Sequence, residues 1–362
     1  MAHYKAPSDL VQIPIVWRYE LLKYLRSWRL MASIAISLAV LALIFLLPPA
    51  LGTSYSGTDT NSELELTYIG PSGGLLPFET VGTLGRTGVN IDDLVVYQNG
   101  TVYPESNWEL LRVENELSDV FLPAGVYAVF FTENVTGYDM TATYDWRITP
   151  QDFETLNLQF VTILIIICAT FFAADSLVGE YSNRTGYLIF PNPMKREVLF
   201  FGKYAASVTA GLIVIGVFYL GVVGLSFVAA GGVDDDLGLS FLYAFEYLLA
   251  AAAVGYVVSA IMKGSTGAIV FTFLLLFLLL PIIDGVSSFA NTKISASLTF
   301  AANVITYVLI DPYPKDSTIE FGEFSFSNYY PEPVMSAIVM AAYAAIAMTI
   351  SLILFKRKQL TG

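Results

Sequence analysis

The sequence predicts an α-helical, multi-pass membrane protein with six transmembrane helices, an N-terminal interfacial helix and a β-rich extracytoplasmic domain between the first two spans. Three observations support this fold class. Of the 362 residues, 55% are hydrophobic and only 14% are charged, whereas soluble domains carry roughly 25% charged residues. Six apolar segments are close to the length of about 20 residues that a helix needs to cross a bilayer. Lys and Arg are concentrated on one side of these segments.

Residues 1–29 are predicted to form a cytoplasmic N-terminus that contains an amphipathic helix. Aromatic and apolar residues recur at helical spacing from Trp17 to Trp28. The other side of this helix is basic, with Arg18, Lys23 and Arg26. This pattern is typical of a helix that lies in the lipid headgroup layer. A surface helix of a soluble N-terminal domain is the alternative.

The first span is predicted at residues 30–51, and five further spans are predicted within residues 156–362. Those five occupy residues 156–174, 204–230, 239–262, 266–283 and 334–355. The apolar stretch at residues 294–310 is shorter and contains Asn303, which favours an interfacial or half-inserted helix. A seventh span is the alternative.

The distribution of basic residues predicts the orientation in the cell membrane. Thirteen of the 18 Lys and Arg residues lie in the N-terminus, in the connector between the second and third spans, at Lys263 or in the C-terminal tail. Because translocation disfavours Lys and Arg, these parts and both termini are predicted to be cytoplasmic. A seventh span would place the basic cluster at residues 356–358 outside, which argues against it.

Residues 52–155 are predicted to form the extracytoplasmic domain, a β-sandwich or small barrel. The block holds sixteen acidic residues and three arginines. Its Asn99-Gly100 pair lies between two β-rich runs, which is a strong hairpin signal. The acidity indicates a solvated exterior, and a lid that docks an extracytoplasmic partner is the alternative. Residues 284–333 are predicted to be a second extracytoplasmic segment.

Composition and motifs argue against several chemistries in this chain. Cys168 and His3 are the only residues of their types, so no internal disulfide, metal site or catalytic residue is expected. The net charge of -13 gives no reason to expect a nucleic-acid partner. The Gly202-Lys203 pair is followed by Tyr204, so it does not form the phosphate-binding motif of an ATPase.

The connector at residues 175–203 is far longer than a turn between neighbouring helices requires. It carries charges of both signs, and Pro191 and Pro193 interrupt any helix. A segment of this kind suits docking to another protein. Glu180 is expected to pair with Arg184 or with a basic residue of that protein. The alternative is a loop whose basic residues only set the orientation, with Lys203 reaching the interface.

The connector resembles the signature of ABC type-2 exporter permeases. The residues that carry the resemblance are Asp175, Gly179, Glu180, Arg184, Thr185, Gly186, Pro191, Pro193, Lys195, Arg196, Gly202 and Lys203. The family pattern has Gly-Thr where this chain has Thr185-Gly186, and Pro-x-Ser-Arg where it has Pro193-Met194-Lys195-Arg196. The N-terminal helix and the six spans fit the same family.

The resemblance implies that the connector is a coupling helix seated on a separate ABC ATP-binding subunit. Two such subunits would serve two permease chains, either two copies of this chain or this chain with a paralogue. ATP and Mg²⁺ would be bound by the ATP-binding subunits, and this chain would hold no cofactor and perform no catalysis.

The expected function is that of a membrane subunit of an ATP-driven exporter for a lipid-like or amphipathic substrate. Glu246 in the fourth span is the candidate pathway residue, although it could also be an acid that reaches water at the interface. The alternatives are a subunit that transmits motion to an extracytoplasmic partner, an ion-coupled secondary transporter and a receptor or scaffold that works without ATP.

Overall fold

A computed structural model describes residues 9–69, 78–84, 86, 88–89, 93–113, 126–182, 195–321 and 324–357. Within these residues, six helices are long and apolar enough to cross a membrane. They are Trp28–Ala50, Pro150–Glu180, Arg196–Ala229, Leu237–Ile261, Ser265–Ser287 and Pro333–Arg357, called the first to sixth spans below. The predicted number of spans is therefore confirmed.

Two of the spans extend well beyond their predicted bounds at the polar connector. The second span continues to Glu180 and the third already begins at Arg196. The second span also begins earlier, at Pro150, where the Thr149 hydroxyl accepts a hydrogen bond from the Asp152 N–H and caps the helix. Hydropathy detects only the apolar centre of such helices, because capped and ion-paired polar turns continue the helix outside that centre.

The second and fourth spans form the core of the bundle, and the fifth span is the least buried. Gly255 of the fourth span lies against the second span. A Cβ at this position would be 3.2 Å from the Cβ of Ala173 and 3.3 Å from the Ala169 carbonyl oxygen. The lack of a side chain therefore permits the close helix contact that membrane bundles use.

Several of the spans are assembled from shorter helical elements. The second span contains the helices Pro150–Leu158 and Val161–Cys168, the π-helical turn Ala169–Ala173 and the helix Val178–Ser182, which ends beyond it. The fifth span contains Ser265–Leu274, the π-helical turn Leu275–Leu279 and Leu280–Phe289. In the second span the Ala174 N–H donates to the Ala169 carbonyl over 3.0 Å, five residues back. Such turns displace backbone carbonyls from the regular ladder.

Two four-stranded antiparallel sheets occupy the region between the first and second spans. The first has the order β1-β8-β4-β5 and the second β2-β3-β7-β6. The strands are β1 Ser56–Glu63, β2 Glu65–Tyr68, β3 Thr80–Thr83, β4 Val95–Gln98, β5 Thr101–Val102, β6 Trp108–Arg112, β7 Tyr127–Phe131 and β8 Met140–Arg147, with a short 3₁₀ turn at Glu105–Asn107. Val96, Phe131 and Tyr144 from both sheets share one buried core.

The hairpin predicted at Asn99-Gly100 is confirmed. It joins β4 to β5, and both residues have positive φ angles, 49° and 78°. These are the angles that a two-residue type I′ turn requires, and Asn and Gly tolerate them best. The edge strands β1 and β6 and the central strand β3 were not predicted. β1 is polar along its length, so it has no alternating apolar pattern to detect.

Hydrogen bonds attach the two sheets to the ends of the spans. Arg147 at the end of β8 donates to the carbonyl oxygens of Ala229, over 2.9 Å, and Val228, over 3.1 Å. These carbonyls end the third span and have no partner within their own helix. The Tyr55 hydroxyl likewise contacts the carbonyl of Phe45 in the first span over 2.9 Å. The sheets are thus joined directly to two spans.

Residues 284–333, predicted as a second extracytoplasmic segment, contain both helices and strands. Asp284 lies inside the helix Leu280–Phe289, so the helix of the fifth span continues beyond its predicted end. Residues 294–310 contain two short helices, Leu298–Ala302 and Val304–Tyr307, which pack on the fourth and sixth spans. Their apolar side chains are buried against these spans, and together they are shorter than a span, in keeping with the half-inserted helix that was predicted. The hairpin of β9 (Ser317–Phe321) and β10 (Phe324–Asn328) was not predicted.

The N-terminal helix spans Asp9–Leu25, and its predicted end is wrong. Ser27 caps the first span, so Trp28 is the first residue of that span and its side chain is 83% exposed. The helix packs along the third span, where the Trp17 Nε1–H donates to the Thr209 hydroxyl over 3.0 Å. The basic residues Arg18, Lys23 and Arg26 are exposed, as the amphipathic pattern predicts.

Replacement of Gly88 by Ala is expected to destabilise the sheets strongly. Gly88 has a φ of 67°, and a Cβ there would be 1.9 Å from the Arg147 carbonyl oxygen, which is backbone and cannot move aside. Gly100 has a similar φ of 78° but nothing within 4 Å, so Gly100→Ala is the matched control. The control is expected to cost about 1 kcal/mol, and Gly88→Ala clearly more. Thermal unfolding of both variants measures this, and equal melting temperatures would contradict it.

Candidate functional site

The structure describes six of the predicted coupling residues, and they lie at two helix ends. Asp175, Gly179 and Glu180 form the end of the second span. Lys195 precedes the third span, Arg196 begins it and Lys203 lies two turns inside it. The other predicted coupling residues, Arg184, Thr185, Gly186, Pro191 and Pro193, fall outside the described residues.

Lys203 is the centre of a buried ion-pair network. Its side chain is 1% exposed, and its Nζ lies 2.7 Å from Glu180 Oε1 and 2.8 Å from Glu20 Oε1. Both carboxylates are themselves more than 90% buried. The exposed Lys23 lies 3.7 Å from the second oxygen of Glu20, so two basic and two acidic side chains balance each other.

This network gives Lys203 and Glu180 partners within the chain. Lys203 is buried between two carboxylates and does not extend out of the bundle to the interface. Glu180 contacts Lys203, and its other expected partner, Arg184, lies outside the described residues. The physical reason is the cost of burying an ammonium group in a membrane helix, which is tolerated when hydrogen-bonded counterions surround it. Glu20 supplies the second counterion from the N-terminal helix.

A second ion pair lies next to the first and ties the first span to the second. Arg29 NH1 is 2.6 Å from Asp175 Oδ2, and the Ser265 hydroxyl of the fifth span donates to the other carboxylate oxygen. A Cβ at Gly179 would lie 3.3 Å from that second oxygen. The Asp-x-x-x-Gly spacing therefore leaves room for the Asp175 carboxylate one helical turn away.

Buried hydroxyl groups extend the network to the π-helical turn of the second span. The hydroxyls of Tyr24 and Ser207 both donate to the Phe172 carbonyl over 2.9 Å. Tyr256 of the fourth span contacts Ser207 and, over 2.7 Å, Ser176. Burial raises the pKa of the Tyr24 hydroxyl, so this group remains protonated and able to donate. We call these nine side chains the polar cluster: Glu20, Tyr24, Arg29, Asp175, Ser176, Glu180, Lys203, Ser207 and Tyr256.

The fourth span also supports the start of the connector through a backbone contact. The Ser259 hydroxyl accepts hydrogen bonds from the backbone N–H groups of Leu177, over 3.1 Å, and Val178, over 3.0 Å. These N–H groups begin the helix Val178–Ser182 and need an acceptor from outside that helix. The end of the second span is therefore held by side chains from several other helices.

A cavity of about 540 Å³ lies beside the polar cluster. Charged residues of both signs line it, among them Lys23, Arg29 and Glu180. The exposed Tyr19 is at its rim. Hydration of this cavity would lower the cost of the buried charges and allow the helices around it to shift.

Of the two remaining described coupling residues, Arg196 contacts the sixth span. Arg196 NH1 donates to the Lys356 carbonyl over 3.0 Å, and Lys356 forms an ion pair with Glu197. The beginning of the third span is thus joined to the end of the sixth. Lys195 is exposed at the N-terminal cap position.

The sequence did not predict a site role for the other six residues of the polar cluster, which are Glu20, Tyr24, Arg29, Ser176, Ser207 and Tyr256. Two signals were available. Glu20 lies on the same helical face as Val16 and Tyr24, which are buried, so an acid interrupts an apolar stripe. Lys203 lies inside a span, and a basic residue there implies an acidic partner. Neither signal identifies which acid is the partner.

Glu246 lies apart from the polar cluster. It is half-buried on the fourth span, and its neighbour Tyr247 is fully buried. Within the part of the chain that the structure describes, no three His, Cys, Asp or Glu side chains converge as a metal site would require.

Six apolar helices define a multi-pass membrane protein. A buried ion-pair network joins its second and third spans to the N-terminal helix. The family model described as "ABC-2 family transporter protein" matches residues 15–360. The chain therefore belongs to the ABC-2 family and is a membrane permease of an ABC transporter, a class that works with an ABC ATP-binding partner. The sequence matches none of the curated proteins with which it was compared.

Replacement of Lys203 by Met is expected to destabilise the chain by about 3–5 kcal/mol, because it leaves two carboxylates buried without their counterion. Lys356→Met is the control, since its ion pair with Glu197 is about half exposed on both sides and contributes at most about 1 kcal/mol. Thermal unfolding in detergent measures both. A Lys203→Met variant as stable as the control would show that the network does not hold the helices together.

Proposed function

We propose that this chain is the permease subunit of an ATP-driven exporter, and that residues 175–203 dock on a separate ABC ATP-binding subunit. That subunit supplies the ATP and Mg²⁺ chemistry. The role of this chain is to convert movement at the docking segment into movement of its spans. The family match supports the permease assignment, and the resemblance of the connector supports the docking role.

The polar cluster is the observation that carries this proposal. Both ends of the docking segment belong to it, through Glu180 on one side and Lys203 on the other. Its hydrogen bonds reach the N-terminal helix and the first, fourth and fifth spans. A push on the segment would therefore move several helices as one unit, because buried charge pairs resist separation. A loop that only set the orientation would need none of these contacts.

The assembly we propose contains two permease chains and two ATP-binding subunits. The fifth span has the smallest buried share of the six and carries large exposed side chains such as Phe271, Leu278 and Ile282. An apolar face of this kind suits contact with a second permease chain or with lipid. The substrate in this proposal is lipid-like or amphipathic and moves outward between the two chains.

The orientation we propose has both termini and residues 175–203 in the cytoplasm and the two sheets outside. The positive-inside distribution of Lys and Arg supports it.

Transmission of motion to an extracytoplasmic partner is a second candidate function. The hydrogen bonds from Arg147 to Ala229 and Val228 favour it, since they join β8 directly to the third span, which also carries Lys203. Any tilt of that span would move the sheets. Flux of an amphipathic probe in liposomes that contain the full complex distinguishes the two functions. Vanadate-sensitive flux is expected for an exporter, and no such flux is expected for a subunit that only transmits motion.

Charge reversal in the docking segment is expected to release the ATP-binding subunit. In affinity purification of the full complex, Arg184→Glu is expected to reduce the recovered ATP-binding subunit by about tenfold or more, because like charges at an interface repel. Lys315→Glu is the control, because it also replaces a positive with a negative charge at an exposed position. Lys315 lies within residues 284–333, which are predicted to be extracytoplasmic, so recovery of the ATP-binding subunit is expected to be unchanged. Equal recovery from both variants, or no nucleotide-binding subunit with the unaltered chain, would refute the docking role.

Single-cysteine labelling tests the orientation. Cys168 is the only cysteine and is buried, so Cys168→Ala gives a background without thiols. In intact cells a membrane-impermeant maleimide is expected to label Thr101→Cys in β5 but to label Arg26→Cys only after permeabilisation; both positions are exposed. The reverse pattern would invert the proposed topology.

A further inference from the structure

A second cavity lies at the end of the bundle opposite the polar cluster. It has a volume of about 300 Å³ and lies between the second, fourth and fifth spans and the short buried helix Leu298–Ala302. Thr162 of the second span lines it, thirteen residues before Asp175 of the polar cluster, which is about 20 Å along a helix. The cavity and the polar cluster are thus separate sites on one span.

The Tyr247 hydroxyl is the feature of this cavity that points to a ligand. The Tyr247 side chain is 0% exposed, and its hydroxyl has no hydrogen-bond partner within the described ranges of the chain. Buried polar groups almost always have a partner in native proteins. Because Tyr247 lines the cavity, a molecule inside the cavity is in position to supply that partner.

The Asp284 carboxylate lines the same cavity, and its negative charge favours a positively charged ligand. Asp284 accepts a hydrogen bond from the buried Thr299 hydroxyl and lines the cavity together with Tyr247. Asn303 also lines the cavity. A carboxylate, a phenol oxygen and an amide oxygen can all accept hydrogen bonds from one donor group that carries several N–H bonds.

The rest of the lining is apolar. Ile163 and Ile166 contribute aliphatic walls, and Phe277 contributes an aromatic ring. Aromatic rings attract organic cations, and apolar walls accommodate a hydrocarbon body. Phe277 and Pro281 are exposed on the surface of the single chain, so the cavity opens sideways, toward the face that the fifth span presents.

We propose that this cavity binds an organic cation, a protonated amine attached to an apolar body. The ammonium group donates hydrogen bonds to the Asp284 carboxylate and the Tyr247 oxygen, and the apolar body lies against Ile163, Ile166 and Phe277. That the bound amine is also the transported substrate rests on the proposed function, whereas the binding site itself does not.

Calorimetry on the full-length chain, purified without an ATP-binding subunit in a non-ionic detergent, tests the site. The probe is hexylamine, and hexanol and hexanoate are the neutral and anionic probes with the same apolar body. Saturable binding of hexylamine is expected, with both controls at least about tenfold weaker, because only the ammonium forms charge-assisted hydrogen bonds with Asp284. No saturable binding of hexylamine, or equal affinity for all three probes, would overturn the proposal.

Three variants locate the bound amine. Asp284→Asn is expected to weaken hexylamine binding about tenfold or more and to leave hexanol binding unchanged. Asp235→Asn is the matched control, since it makes the same change at an exposed carboxylate that does not line the cavity. An equal loss in Asp235→Asn, or no loss in Asp284→Asn, would overturn the proposed site.

Tyr247→Phe covers the case in which Asp284→Asn does not fold. It removes only a hydroxyl without a described protein partner, so folding is expected to be unaffected while hexylamine binding weakens about threefold or more. Unchanged affinity in this variant would overturn the proposal. The binding measurement uses the chain without an ATP-binding subunit, so it is independent of the docking experiment. A lack of hexylamine binding would not argue against docking, and a lack of docking would not argue against hexylamine binding.

Discussion

The burial of the Lys203 ammonium between Glu20 and Glu180 constrains the rest of the structure. A charged group inside a membrane helix is stable only where oppositely charged groups are held against it. The N-terminal helix must therefore lie along the third span rather than free in the headgroup layer. For the same reason the second span must continue as a helix to Glu180. One ion-pair network thus fixes the position of three helices at the polar end of the bundle.

The second span connects the two polar regions of the bundle. Its π-helical turn, Ala169–Ala173, directs the Phe172 carbonyl toward the hydroxyls of Tyr24 and Ser207, so the irregular turn provides an acceptor where the polar cluster needs one. Gly255 allows the fourth span to pack closely on the same turn. Toward its other end the span lines the cavity that contains Tyr247 and Asp284. A displacement at Glu180 therefore has a direct path, through packed helices, to that cavity.

The sheets are also connected to this path. Arg147 binds the carbonyl end of the third span, and Arg112 binds the side chain and carbonyl of Asp311 in the segment before the sixth span. These contacts use carbonyl groups that end helices or lie in loops, so they bind without disturbing the spans. Movement of the third span would reach both the polar cluster and β8. Export and transmission of motion, the two functions proposed above, would therefore use the same mechanical connection.

The sequence by itself determined the number of spans and the Asn99-Gly100 hairpin, because apolar length and turn chemistry are local properties. The resemblance of the connector to a family signature also singled out Asp175, Glu180 and Lys203. Only the tertiary structure decided that these residues contact one another and that Glu20 completes the network. It also decided that the helices at residues 298–307 are buried and that Asp284 lines a cavity with Tyr247. These results depend on which helices pack together, and partners so distant in the sequence leave no local pattern from which they could be predicted.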